Sequence, residues 1–141
     1  MVWAARKSVI VPVDFSDESL AAVSEALQLV DCAEHLHVVH VLPILEPTEP
    51  SLRWTIDDAG RQLHAQQALD ERIADLCFAG CKKVVLFGDP GHEIADYAQS
   101  VAADLIVMPS HGRTGIKRLL IGSVAERVIR LSHCPVLVLR Q

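Results

Sequence analysis

The chain has 141 residues, half of them apolar and 22% charged, with a formal net charge of −5. That is one domain's length with enough apolar surface for a core, which excludes disorder, and its acidic balance argues against a general nucleic-acid or membrane-surface binder. No apolar run reaches membrane-spanning length and the opening Met1–Lys7 lacks a signal-peptide core, so a single cytoplasmic domain over residues 1–141 is expected. Ser8 to Val13 reads as a short apolar strand. Ser16-Asp17-Glu18 opens a helix that runs to about Val30, with Leu20, Val23, Leu27 and Val30 on one face. Leu36 to Leu42 is the second strand, and Pro43, Pro47 and Pro50 mark an irregular connection. Thr55-Ile56-Asp57-Asp58 resembles a capping-box start for a helix carrying Leu63, Leu69, Ile73 and Leu76, with Gly80 as its C′ residue. Lys83 to Gly88 is the third strand, Pro90 to Ala102 a helix, and Asp104 to Met108 the fourth strand. Ser123 to Ser132 is the last helix and Pro135 to Arg140 the fifth strand.

Strands alternating with helices imply parallel pairing, and uninterrupted apolar strands imply helices on both faces. The expected fold is an α/β, single-domain, doubly wound five-stranded parallel sheet of Rossmann-like type. Such sheets bind ligands outside the carboxyl ends of their strands, at the switch point of the topology. Four informative loops fall on that edge: Val13-Asp14-Phe15-Ser16, Val41-Leu42-Pro43, Gly88-Asp89-Pro90 and the run Met108-Pro109-Ser110-His111-Gly112. Nine residues separate Gly112 from Gly122-Ser123, and Arg113, Lys117 and Arg118 lie between them. A glycine-bearing loop entering a helix amino end is a natural anion site, because the first amides have no intrachain partner and the helix dipole adds positive potential. The arrangement suggests a phosphate-bearing ligand.

The remaining chemistry is thinner. Cys77 and Cys81 are four apart, but Gly80 breaks the helix between them and no second Cys/His pair stands at metal spacing. Cys32, Cys77, Cys81 and Cys134 therefore read as small hydrophobes, and no metal site is expected. His35 and His37 share one strand face with no carboxylate or third ligand beside them. There is no Walker A run and no nucleophile with a paired base, and Asp89 stands alone as a candidate metal ligand, so dedicated catalysis is not expected.

Pro12-Val13-Asp14-Phe15-Ser16 after a first strand, His40-Val41 ending the second, Gly88-Asp89-Pro90, Ser110-His111-Gly112-Arg113 with Gly122-Ser123, and the terminal Cys134-Pro135-Val136-Leu137-Val138-Leu139 together resemble the universal stress protein family. The resemblance covers nearly the whole chain in order. It implies strand order 3-2-1-4-5 and an adenine nucleotide, ATP or a relative, with or without Mg²⁺. The ATP-binding branch has the pattern G-x-x-G, nine residues, G-[S/T]; Gly112 and Gly122-Ser123 match it, and Pro109 replaces the first glycine. Proline lacks an amide N–H, so one ligand contact is lost. The resemblance further implies that the backbone groups of Val13 and Val41, with Pro12 beside them, frame the adenine. Asp14 meets the ribose, and Pro109, Gly112 and Arg113 with Gly122, Ser123 and Val124 hold the ribose and phosphates. Met108, from its own place at the end of the fourth strand, can pack on a base.

Alternatives stand beside these roles. Asp14 serves the turn into the first helix or the ribose, and Ser123 with Glu126 reads as a capping box or a ligand contact. Met108 is equally a core residue. If Asp14 is an unpaired carboxylate, its removal should raise ligand-free stability. The functional reading is an ATP-binding stress-response regulator. Its alternatives are a dimeric interaction module that binds no nucleotide and a slow ATP hydrolase. The apolar last strand implies a homodimer joined edge to edge, since an open edge is otherwise a liability.

Overall fold

A computed structural model describes residues 5–46, 56–77, 80–111 and 121–140. The elements in chain order are β1 (Val9–Pro12), α1 (Asp17–Leu27), β2 (Leu36–Leu42), α2 (Asp58–Cys77), β3 (Lys82–Phe87), α3 (Pro90–Ser100), β4 (Leu105–Pro109), α4 (Ser123–Leu131) and β5 (Val136–Leu139). The five strands form one parallel sheet in the order β3-β2-β1-β4-β5. The parallel pairing follows from the alternation of strands and helices, since parallel neighbours need crossovers and each crossover is a helix; the order is the one that the family resemblance implied.

The two-residue period of the strands sorts their side chains into two cores. Val9, Val11, Val38, Leu105 and Val107 face α1 and α2. Ile10, Val39, Ile106 and Met108 face α3 and α4, where they meet Ile94, Ala98, Ala125 and Val128. Both faces of β1 are sealed, so all four of its residues are buried. Burial of side chains this size contributes about 1.5–3 kcal/mol each. No helix among the described residues is long and apolar enough to cross a membrane.

The helix faces depart from the expected stripes. On α1 the buried seam is Ser19, Ala22, Val23 and Ala26. Leu20 and Leu27 are partly buried at its flanks, and Val30 lies beyond the helix in a parallel bridge to Arg6. A helix lying close on a sheet presents its small residues to the strands and its longer ones to the margins. On α2 the seam is Ala65, Leu69 and Ile73, while Leu63 is 58% exposed. Leu63 precedes Leu69 by six residues, which places it about 120° around the helix from the seam. Asp57 starts α2, its Oδ1 accepting from the Gly60 amide at 2.9 Å; Thr55 lies outside the described residues. Gly80 has φ 132°, a conformation that favours glycine.

Cys81 is buried, as a small hydrophobe should be, whereas Cys32 is exposed. The two histidines of the second strand separate. His37 is 4% exposed on β2 and its Nδ1 lies 2.8 Å from the Tyr97 hydroxyl. His35 falls in the 3-10 turn Ala33–His35 ahead of the strand and bonds to Asp31. A carboxylate and a thiol do accompany it: Asp31, Cys32 and His35 converge. The period-2 expectation failed there because the extended backbone begins at Leu36.

Candidate functional site

The switch point of this sheet lies between β1 and β4, where the chain changes direction of build. On its other side β1 pairs with β2 over its whole length, and the Val13 amide extends that ladder by donating to the Val39 carbonyl at 2.8 Å. With β4 it pairs only at Val9–Leu105 and Ile10–Ile106. The alternation of amides explains the early stop. Val13 points its amide at β2, so Pro12 points its nitrogen at β4. Ile106 and Ser110 donate to Pro135 and Leu139 next to or in β5, so Pro109 points its nitrogen at β1. The next bridge in register would set Pro12 opposite Met108. It needs the amide of residue 12 to donate to Val107 and the amide of residue 109 to donate to Pro12. Both are prolines, so neither bond can form. The sheet opens at its carboxyl edge because two prolines remove the two donors that would close it.

The turn after β1 forms one wall of this opening. Asp14 Oδ1 accepts from the Ser16 amide at 3.0 Å and from the Ser16 hydroxyl at 2.5 Å. The Ser16 hydroxyl oxygen in turn caps α1, accepting from the Ser19 amide at 3.1 Å. The carboxylate is therefore paired, which removes the ground for expecting a stability gain when it is deleted. Between them Phe15 has φ 64°, an uncommon conformation for a side-chain-bearing residue, with its ring centroid 4.7 Å from that of His40. His40 Nδ1 donates to the Val13 carbonyl at 2.8 Å. Both backbone polar groups of Val13 are thus engaged inside the protein. Phe15 and His40 stand inside two of the motifs that carry the family resemblance, yet neither is singled out there as a site residue; a positive φ next to an Asx turn is visible only in three dimensions.

The opposite wall is the end of β4 and the start of α4. Gly122, not Ser123, is the N-cap, and it offers no side chain to the first turn. Ser123 is exposed at the first helical position, and Glu126 pairs with Arg130 at 2.7 Å instead of closing a capping box. The capping-box expectation is therefore corrected by one residue, because the Gly122 amide donates to the Ser110 carbonyl at 2.6 Å and draws the cap position back to the glycine. A Cβ on Gly122 would sit 3.0 Å from that same oxygen, so a larger residue here would have to push the two backbones apart by a few tenths of an ångström. The amides at the head of α4 lack a side-chain cap and carry the positive end of the helix dipole. Nearby, His111 Nδ1 lies 3.1 Å from the Ser110 hydroxyl. Its Nε2 is buried without a hydrogen-bond partner among the described residues.

Asp89 is not alone. It caps α3, accepting from the His92 amide at 3.1 Å, and it also meets His92 Nδ1 at 2.8 Å and Arg127 Nη1 at 2.6 Å. Bonds from the His92 ring first, then from its amide and from Arg127, hold the carboxyl at about 2. This ties α3 to α4 and borders a groove of about 320 Å³ lined by His92, Ser123, Glu126, Arg127, Arg130 and Leu131. Pro12, Val13, Asp14, Pro109, Gly122, Ser123 and Val124 gather along the carboxyl edge. Val41 is half-buried near the end of β2, and Met108 is 5% exposed within the α3–α4 core. Gly112 and Arg113, with Lys117 and Arg118, lie outside the described residues.

A family model described as the universal stress protein family matches residues 5–140. Universal stress protein MJ0531 from Methanocaldococcus jannaschii is 37% identical over 142 residues, spanning 96% of this chain and 82% of that protein. Among solved structures, universal stress protein UspA from Lactobacillus plantarum superposes with a TM-score of 0.79 at 28% identity, covering 97% of this chain and 99% of that one. The hypothetical protein MJ0577 does so with a TM-score of 0.80 at 29% identity, covering 98% of each. Two more distant chains share the fold: a universal stress protein in complex with cAMP (TM-score 0.67, 24% identity, covering 96% of this chain and 98% of that one), and one from Archaeoglobus fulgidus in complex with dAMP (TM-score 0.61, 23% identity, covering 97% and 98%). A family model spanning almost the whole chain, a relative above one-third identity and the observed strand order agree: the chain belongs to the universal stress protein family.

Proposed function

We propose that this protein binds an adenine nucleotide, ATP foremost, in the opening between β1 and β4, and acts as a stress-response regulator. The observation that carries the reading is the broken β1–β4 ladder facing the uncapped amino end of α4. An opening at a switch point admits a planar base, and free helix-end amides suit phosphate. His111 Nε2, buried without a partner among the described residues, is a further donor or acceptor for a ligand. The complexes of cAMP and dAMP with proteins of this fold support the ligand class.

In this reading the Asp14 carboxylate accepts from the ribose hydroxyls, with Pro12 and Val41 beside the adenine. Val13 contributes shape, since its amide and carbonyl are already bonded. Met108 supports the site from the core side. Pro109, Gly112 and Arg113 wrap the ribose and phosphates, and the amides of Ser123 and Val124 after Gly122 meet the terminal phosphates. Mg²⁺, where it accompanies ATP, neutralises phosphate charge. The test is to denature freshly purified protein and identify the released nucleotide, then titrate the stripped protein with ATP, AMP and cAMP by calorimetry. Release or saturable binding of an adenine nucleotide is expected; protein that carries none and gives no heat with any of the three overturns the proposal.

One observation favours the second reading, an interaction module without nucleotide: the nitrogen that Pro109 turns toward the opening bears no proton. Either reading is compatible with a homodimer through β5. This strand is at the sheet edge, and Pro135 and Leu139 turn their carbonyls to β4, so Val136 and Val138 turn their amides outward. Antiparallel pairing with a second copy satisfies them. Light scattering should give twice the 15.4 kDa chain mass, and Val138→Pro should shift it toward monomer or aggregate. A parent protein that scatters as a monomer rules the dimer out.

A further inference from the structure

We propose that Asp31, Cys32 and His35 bind a thiophilic divalent cation, Zn(II) foremost, at the edge of the sheet opposite the β1–β4 opening. The three residues lie between the end of α1 and the start of β2, at the amino ends of the strands. Each offers one donor atom, and all three atoms lie within 4.8 Å of one another. The Asp-Cys-x-x-His spacing produces this convergence through the 3-10 turn. The His35 amide donates to the Cys32 carbonyl at 3.1 Å, which folds the imidazole back over the two preceding side chains. Cys32 caps that turn with its backbone alone and makes no side-chain cap bond, so its thiol is not spent on the fold.

The frame beneath the cluster is fixed. The Arg6 amide donates to the Leu29 carbonyl at 2.8 Å, Arg6 bridges Val30 in parallel, and Leu36, directly after His35, is fully buried. A Zn(II) ion takes sulfur at about 2.3 Å and imidazole nitrogen or carboxylate oxygen at about 2.0–2.2 Å. Donors round one such ion stand about 3–4 Å apart, so only a small contraction of the present cluster is asked of the side chains. Thiolate, imidazole and carboxylate together suit Zn(II) rather than Mg²⁺ or Ca²⁺, which select oxygen alone. Three ligands leave the fourth tetrahedral position to water.

The test uses the full chain, reduced and stripped of metal. Co(II) serves as the spectroscopic probe, and Zn(II) affinity is read by competition with a chromogenic chelator. One equivalent of Co(II) should bind with a near-ultraviolet thiolate-to-cobalt absorption, which Zn(II) should displace. Cys32→Ser should abolish that absorption, and His35→Ala and Asp31→Asn should each weaken Zn(II) by roughly tenfold or more. Zn(II) should also protect Cys32 of the parent protein from alkylation, as read by peptide mass mapping. That readout needs no substitution and stands even if a variant folds poorly. A titration with no thiolate band, Zn(II) affinity unchanged in Cys32→Ser, or a Cys32 alkylated equally fast with and without Zn(II) overturns the proposal.

Discussion

The two sides of β1 make the most instructive contrast in this molecule. Toward β2 the ladder runs the full strand and one residue further, to the Val13 amide. Toward β4 it stops after two pairs. Pro12 belongs to both sides, yet it interrupts only one. A strand points alternate amides to alternate neighbours, so a proline is silent toward one neighbour and disruptive toward the other. Pro109 answers it from the facing strand. The opening is thereby written into the sheet as an omission: all of β1 is buried, yet its carboxyl end is parted from β4 without loss of the pairing that holds it to β2.

A second proline one residue earlier should break this contrast and have the largest effect. Val11 points its amide at β2, where the register sets it against the His37 carbonyl. Val11→Pro should destabilise the fold by about 3 kcal/mol, since a buried carbonyl loses its donor and the ring crowds the neighbouring strand. The midpoint of urea unfolding measures it; a loss below about 1 kcal/mol would contradict the amide assignment. Restoring an amide sharpens the contrast instead. Pro109→Ala places an N–H toward the opening while Pro12 still blocks the second bond. ATP affinity should rise roughly fivefold, the equivalent of about 1 kcal/mol from one hydrogen bond. An unchanged affinity with a raised melting temperature would show that the ladder closes on Pro12 instead.

Asp14→Ala tests the wall of the opening. Losing the acceptor of the Ser16 amide and hydroxyl should cost about 1 kcal/mol in the free protein. It should also erase most of the ATP-induced rise in melting temperature; a rise that survives intact would confine Asp14 to the turn. The smallest effect concerns pH on the closed side of β1. Burial first, then the charges of Lys82 and His35, hold the His37 pKa below its ordinary 6.5. The unfolded chain takes up this proton as pH falls through 6.5 and the native protein does not, so the contribution is complete above that value and declines below it. Urea midpoints at about pH 7.5 and about pH 5.5 should differ less in His37→Gln than in the parent.

The alternation of apolar strands with amphipathic helices was enough to read the five strands and the parallel sheet, and so to propose a site at its carboxyl edge, because side-chain periodicity is a local property of the chain. Asp14, Pro109, Gly122 and Ser123 could be singled out for the same reason, each having a chemistry legible without neighbours, whereas Pro12 entered only through the family resemblance. What only the tertiary structure decided is where those chemistries point. That Pro12 and Pro109 face one another follows from the register of β1 on β4, which no local pattern encodes. The cap passed from Ser123 to Gly122 because the Ser110 carbonyl, twelve residues earlier, claims the Gly122 amide. Asp31 and Cys32 joined His35, and His35 parted from His37, because a 3-10 turn replaced the first residue of an expected strand face. Sequence spacing measures distance along the chain; hydrogen-bond register and turn geometry convert it into distance in space.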